Sequence, residues 1–367
     1  MAIPALHSTL AIYVAAFAVA LALALLLTPL ARRIAIAVGA VDKPNERRVN
    51  RIPTPSMGGL AIFAAALVTA AAFMPKNDFF WGFMAGALII VGVGVADDIL
   101  QLPAKVKLGG QVLAAVVFTA LGGRIDFITN PAGGMVWMGD LAIPVTVLWL
   151  VSVINIINLL DGLDGLAAGV SSIAALAISS VAMEKGQAGA AVMLAIVAGG
   201  ALGFLRYNFN PAKIFMGDTG AMFLGYALAA ISVEGAVKGA ATIALTVPVL
   251  ALGIPVFDTF FAIVRRFRNH QPISAPDRGH LHHRLLAMGL TQRQVALVFY
   301  GISGALGLLA IWISRQQNIY GLLALAVVAM VFGFIALRTG VAQPVQGAGL
   351  SGGGASRHDA GVGHHSA

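Results

Sequence analysis

Long apolar runs, separated by short polar segments, recur from near the first residue to about position 338. Crossing a hydrocarbon core of ~30 Å takes ~20 apolar helical residues. Eleven stretches approach that requirement: 8–30, 57–74, 79–96, 108–122, 141–159, 165–183, 187–205, 216–233, 240–264, 294–313 and 319–337. The pattern predicts an all-α, polytopic integral membrane protein with about eleven transmembrane helices. An odd number of crossings puts the two termini on opposite sides. The first stretch is too long for a signal peptide and lacks a basic leading region, so Arg32 and Arg33 behind it read as a stop-transfer flank.

Basic residues choose the orientation, because Lys and Arg collect in short cytoplasmic loops. Alternate loops beginning at residue 31, together with the C-terminal tail, hold eighteen of them, and the opposite face holds five: Lys76, Arg124, Lys185, Lys238 and Arg315. This asymmetry predicts an outside N-terminus and a cytoplasmic C-terminus. Composition agrees, with 59% hydrophobic residues, 10% charged residues and a mean hydropathy of +0.90, values foreign to a soluble domain. The net charge of +8 follows from the loop bias, so no nucleic-acid partner is invoked. There is no cysteine, which removes disulfides and thiolate metal sites. One membrane domain is expected over 1–340, followed by a disordered Gly/Ser-rich tail over 341–367.

Six carboxylates stand at the ends of apolar runs on the predicted cytoplasmic face: Asp97, Asp98, Asp161, Asp164, Asp218 and Asp258. An ionised Asp at mid-bilayer costs roughly 2.5–3.5 kcal/mol, which favours such end positions. In NIINLLDGLDGLAAG, the residues Asn155, Asn158, Asp161 and Asp164 recur at every third position, and neighbours at that spacing on a helix can share a ligand. Gly162 and Gly165 are expected to break the helix there. Capping of helix ends would account for one or two of the four polar residues. Asp97 and Asp98 diverge by ~100° on a helix and are not expected to do the same job. A solvated loop start is the plain alternative for that pair, and an N-cap is the plain alternative for Asp218.

Carboxylates that converge at low dielectric repel one another unless a cation holds them ionised. Oxygen-only ligands, with Asn158 able to offer its amide oxygen, favour Mg²⁺, for which Mn²⁺ can substitute. Mg²⁺ takes one or two protein carboxylates and fills its shell with water and substrate phosphates, which points to a phosphate-bearing substrate. The segment 265–293 adds His280, His282 and His283 with six arginines, among them Arg278 and Arg284, suited to phosphate contacts. An ordinary positive-inside loop is the alternative for those arginines. A zinc site made of histidines alone is disfavoured, because consecutive His282 and His283 should point apart on a helix.

Five blocks, RIPTPSMGG at 51–59, DDILQLPAKVKLGGQ at 97–111, NIINLLDGLDGLAAG at 155–169, RYNFNPAKIFMGDTGAMFLG at 206–225 and PDRGHLHHRLLAMGLTQRQV at 276–295, resemble those of the polyprenyl-phosphate N-acetylhexosamine-1-phosphate transferases, in the same order. The peptidoglycan-precursor branch looks like DDxxK followed later by three consecutive histidines. Here Gln101 stands at the lysine position and the histidine block reads HLHH, which is similar to the N-acetylglucosamine-1-phosphate branch. The charge that the family places at that lysine would then come from Lys105 or Lys107.

The resemblance implies transfer of N-acetylglucosamine 1-phosphate from UDP-N-acetylglucosamine to undecaprenyl phosphate, with release of UMP, as the first membrane step of a cell-envelope polysaccharide. Another UDP-N-acetylhexosamine, or phospho-N-acetylmuramoyl-pentapeptide transfer, is the alternative. By the same resemblance, Asp218 is the principal Mg²⁺ ligand with Asn158 and Asp161 nearby, and Asp97 is the base or orienting group supported by Asp98. Phe215 stacks on uracil, Asp161 and Asp164 read its polar edge, and Arg51 lies near the nucleotide. Asn208, His280, His282 and His283 contact the sugar diphosphate, Asp258 gives outer support, and a homodimer is implied. A transporter or flippase is the reading from a different class; it would place binding residues near the membrane midplane at broken helices in paired repeats, and the chain shows neither.

Overall fold

The computed structural model describes residues 3–42, 52–129, 135–237, 247–269, 271, 279–316 and 318–338. The predicted tail, Arg51 and Arg278 lie outside these residues. The helices are α1 (Ile3–Ala37), α2 (Gly59–Phe73), α3 (Asp78–Leu100), α4 (Ala104–Ala120), α5 (Ala142–Leu160), α6 (Leu166–Glu184), α7 (Ala188–Asn208), α8 (Gly217–Val237), α9 (Gly253–Arg268), α10 (Leu281–Ala287), α11 (Gln292–Ser314) and α12 (Asn318–Arg338). Two short antiparallel pairs, Val41–Asp42 with Thr54–Pro55 and Phe127–Thr129 with Met135–Trp137, decorate the helix ends.

Each of the eleven apolar stretches coincides wholly or in part with a helix, and the protein is an all-α, multi-pass membrane protein. Among the described residues, six helices are long and apolar enough to cross a membrane. The helix α2, with 15 residues, reaches only ~22 Å, short of the ~30 Å core. The stop-transfer reading changes in one respect. Arg32 and Arg33 do not follow the first helix but ride on its last turns, because α1 runs on for 35 residues, ~52 Å, to Ala37.

The helices α6, α7 and α8 are buried along most of their length, and the others pack around them. Against α7, α1 comes into backbone contact: a Cβ on Gly199 or Gly203 would collide with the carbonyls of Phe17 and Leu21. Small residues four apart permit such close approach where lipid offers no hydrophobic drive for association. The result is a rigid inner layer whose α8 N-terminus is gripped by α2 and α3.

Candidate active site

Asp97 and Asp98 lie in the last turn of α3, and they split between two tasks. Asp97 accepts a hydrogen bond from the Leu102 amide at 2.8 Å and pairs with the Lys107 ammonium at 3.2 Å. The same ammonium reaches Asp218 at 2.7 Å, and Asn158 donates its amide to Asp218 at 3.2 Å. Three helices and the end of a fourth thus bring Asp97, Lys107, Asn158 and Asp218 to one point. Lys107 supplies the charge there, while Lys105 is exposed and Gln101 closes α3 in a left-handed conformation.

Asp98 is turned to the start of α8. Its carboxylate accepts from the amides of Asp218 at 3.0 Å and Thr219 at 3.2 Å, from the Thr219 hydroxyl at 2.6 Å and from Ser56 at 3.3 Å. A carboxylate at a helix N-terminus satisfies orphan amides and complements the dipole. Asp98 therefore caps α8 from another helix, and Asp218 sits inside the first turn with its own side chain released. Neither plain alternative holds: the Asp pair is not a solvated loop start, and Asp218 is not the cap. Gly217 has φ +71°, and a side chain there would strike Asp98 and Ser56, so glycine is required.

The break predicted at Gly162 and Gly165 is present. After Leu160, α5 ends, a turn follows, and Gly165 at φ +76° begins α6. Tyr300 holds this turn by donating to the Gly165 carbonyl at 2.6 Å. Within the turn, burial and then the charges of Asp218, Asp98 and Asp164 push the Asp161 carboxyl up to about 8. Asp164 accepts from the Asn210 side chain and the Ala212 amide, each at 2.9 Å. Asn208 is 2% exposed, accepts from the Gly165 amide and donates to the Ile214 carbonyl, both at 3.0 Å. Both residues bind the 207–216 segment to the turn. Asn155 donates to Gln111 at 2.6 Å, one helix turn along from the meeting of Asn158 and Lys107. Phe215, half-buried, anchors its backbone to Pro55 and Gly58.

The histidines form a second group. Asp258 accepts from the Leu281 amide at 2.8 Å and lies 2.9 Å from His280 Nδ1, both side chains buried. The His280 and His282 rings are near-parallel at 5.7 Å, and His282 and His283 are 4.2 Å apart. The His282 and His283 rings lie close together instead of diverging, although both residues are inside α10, and His280 precedes that helix. His282 is 2% exposed with neither ring nitrogen paired among the described residues, and burial, then His283, pushes its pKa down to about 3. A Cβ on Gly162 would lie 2.7 Å from His282 Nε2, so this group abuts the α5–α6 turn. Arg284 donates to the Gly279 carbonyl at 3.2 Å.

Among the described residues, no three His, Cys, Asp or Glu side chains form a metal site by themselves. Sequence reasoning missed Ser56, Thr219 and Tyr300, although the first two lie in blocks it singled out. Their neighbours Asp98 and Gly217 carried the only local signal.

A family model described as glycosyl transferase family 4 matches residues 80–236, the span holding every carboxylate of the first group. The chain is 42% identical over 289 residues to a probable undecaprenyl-phosphate N-acetylglucosaminyl 1-phosphate transferase of Bacillus subtilis, covering 78% of this chain and 81% of that protein. It is 37% identical over 301 residues to a decaprenyl-phosphate N-acetylglucosaminephosphotransferase of Mycobacterium tuberculosis, covering 73% and 74%. A phospho-N-acetylmuramoyl-pentapeptide-transferase of Bacillus thuringiensis is 30% identical over 321 residues, covering 81% and 95%.

Proposed function

Because the chain belongs to glycosyl transferase family 4, we propose that it transfers N-acetylglucosamine 1-phosphate from UDP-N-acetylglucosamine to undecaprenyl phosphate, releasing UMP, on the cytoplasmic side of a bacterial inner membrane. Membership bears out the resemblance carried by the five sequence blocks. The observation that carries the proposal is the meeting of Asp97 and Asp218 on one ammonium, that of Lys107. Such a point suits a reaction between two polyanions, whose main obstacle is mutual repulsion.

The donor set fits a hard divalent ion. Asp161, pushed up to about 8 by burial and three neighbouring carboxylates, marks a place where negative charge exceeds the local compensation. Asp218, Asn158 and Asp161 would hold Mg²⁺, or Mn²⁺ in its place, and the ion would supply charge neutralisation at the diphosphate and the leaving UMP. Lys107 offsets one of the two charges that Asp97 and Asp218 can carry before substrate arrives. Asp97, fixed by the Leu102 amide, orients the acceptor phosphate. That phosphate has a second pKa of ~6 and is mostly ionised, so direct displacement needs little base assistance. Asp98 fixes the start of α8, and with it the backbone from which Asp218 projects. Phe215 and Arg51 are assigned to the nucleotide, and the HLHH residues with Arg278 and Arg284 to the sugar diphosphate.

The names of the relatives support N-acetylglucosamine as the sugar. Gln101, with Lys107 carrying the charge, supports the same branch over the muramoyl-pentapeptide one. The membrane step would start a cell-envelope polymer such as O-antigen or a teichoic acid linkage unit. The test uses purified protein with undecaprenyl phosphate, Mg²⁺ and a panel of UDP-sugars, following UMP and lipid product by mass spectrometry. Metal-dependent UMP release with UDP-N-acetylglucosamine, abolished by EDTA, is expected. Preference for another UDP-N-acetylhexosamine would move the sugar alone, and no UMP from any donor with folded protein would return the transporter reading.

A further inference from the structure

A cavity of about 520 Å³ opens beside the active-site end of the bundle, between the last turns of α1, the 52–55 segment and the 207–214 segment. It shares no lining residue with the group at Asp97, Lys107, Asn158 and Asp218. Its walls combine apolar Pro53, Ile214 and the Tyr207 ring with three cations, Arg32, Arg33 and Lys213. None of the three forms an ion pair with a described carboxylate. Arg32 spends its Nε on the Lys213 carbonyl at 3.2 Å, which ties α1 to the segment. Tyr207 is fixed in turn by donating to the Leu25 carbonyl at 3.1 Å. The cations are exposed, and the outer face of α1 above them carries bare Leu26, Leu30 and Ile34.

We propose that this cavity binds the headgroup of an anionic membrane phospholipid, with the acyl chains lying along the exposed face of α1. Three cations with no ion-pair partner among the described carboxylates match a phosphodiester, and apolar walls that continue into an apolar helix face match what is attached to it. Basic pockets between helices at the membrane boundary take such headgroups because lipid adds apolar burial to the ionic contact. The bound headgroup would also brace the 207–216 segment. That segment is fastened to Asp164 through Asn210 and Ala212, and it leads directly into Asp218. The site would therefore couple lipid composition to the geometry of the catalytic group without contributing to it.

The test is native mass spectrometry of the full chain in detergent with phosphatidylglycerol or phosphatidylcholine, and separately with inorganic phosphate alone. Retention of phosphatidylglycerol is expected to exceed that of phosphatidylcholine, and to fall at least ~5-fold in the variant Arg32→Gln/Arg33→Gln/Lys213→Gln. The variant Arg33→Gln/Lys213→Gln keeps the Arg32 anchor, guards against misfolding, and should lose ~3-fold. Unchanged retention in both variants would overturn the proposal. Competition by inorganic phosphate equal to that of the lipid would overturn the lipid as ligand. The readout is lipid retention, so it stands apart from whether the protein transfers any sugar phosphate.

Discussion

The carboxylate group and the histidine group adjoin at the α5–α6 turn, yet they solve burial in opposite ways. Asp97 and Asp218 share the Lys107 ammonium, with a backbone amide and Asn158 beside them, and the Lys107 charge holds Asp218 below the usual carboxylate range against burial. At His282, burial without a described partner on either ring nitrogen removes the charge. A site that must meet a polyanion needs fixed charge that is already organised. A buried neutral imidazole without a described partner leaves an imbalance that a ligand hydrogen bond would relieve. Among the described residues the His282 imidazole has no hydrogen-bond partner, and Asp161 is crowded by three other carboxylates.

The strongest way to break the contrast is to remove the shared charge point. Asp218→Asn should lower UMP release by about 10²–10³-fold, the size of loss when one organised electrostatic group leaves an active site. An unchanged rate would exclude Asp218 from the reaction. Lys107→Met should cost about 10-fold to 100-fold in turnover and also about 1–2 kcal/mol of stability, a value reduced from that of fully buried pairs because these side chains are partly exposed. Undiminished thermal stability in that variant would show that the two carboxylates do not depend on it.

Stability against pH sharpens the contrast further, because the two groups carry opposite signs. Asp161 sits at about 8 in the folded chain against an ordinary 3.8, so the folded state binds the extra proton between those values. Its contribution to stability is full below pH 4 and is lost as pH rises to 8, with a slope of at most about 1.4 kcal/mol per pH unit. In metal-free protein, Asp161→Asn should raise the thermal midpoint at pH 8 and flatten the decline between pH 6.5 and 8. Mg²⁺ should shrink the difference between variant and parent. His282 has its pKa pushed down to about 3 from 6.5, so the unfolded state binds the extra proton, and its contribution grows as pH rises from 3 to 6.5. His282→Gln should remove stability lost on acidification from pH 6.5 to 5 and leave the profile above pH 7 unmoved, the smallest of these effects. A variant whose curve tracks the parent throughout would mean that His282 is protonated like an ordinary surface histidine.

Much of the architecture was legible from hydropathy because a membrane helix must satisfy its own backbone and present apolar side chains along ~20 residues. The helix break at Gly162 and Gly165 was legible for a local reason, two glycines among carboxylates at the end of an apolar run. The division of labour within the Asp pair was legible only in part. Divergence on a helix forecast two different jobs, but that Asp98 caps α8 depends on α3 and α8 meeting, which no local pattern encodes. Asn208, expected on the sugar diphosphate, is spent on the Gly165 amide and the Ile214 carbonyl. Asp164 likewise is bonded to Asn210 and Ala212. A motif records that a polar residue is needed and is silent on whether ligand or backbone needs it.

The chain by itself determined that this is an all-α membrane protein with acids, amides and basic residues at helix ends, since solvation in lipid and the cost of buried charge act residue by residue. It also determined the family, because five blocks of fixed spacing survive in order. Only the tertiary structure decided that Lys107, six residues beyond the glutamine at the family's lysine position, carries the charge, that Asp98 serves a helix terminus, and that the histidine rings gather beside Gly162. Those outcomes depend on distances between segments remote in sequence, which are fixed by how helices pack and not by what any one helix contains.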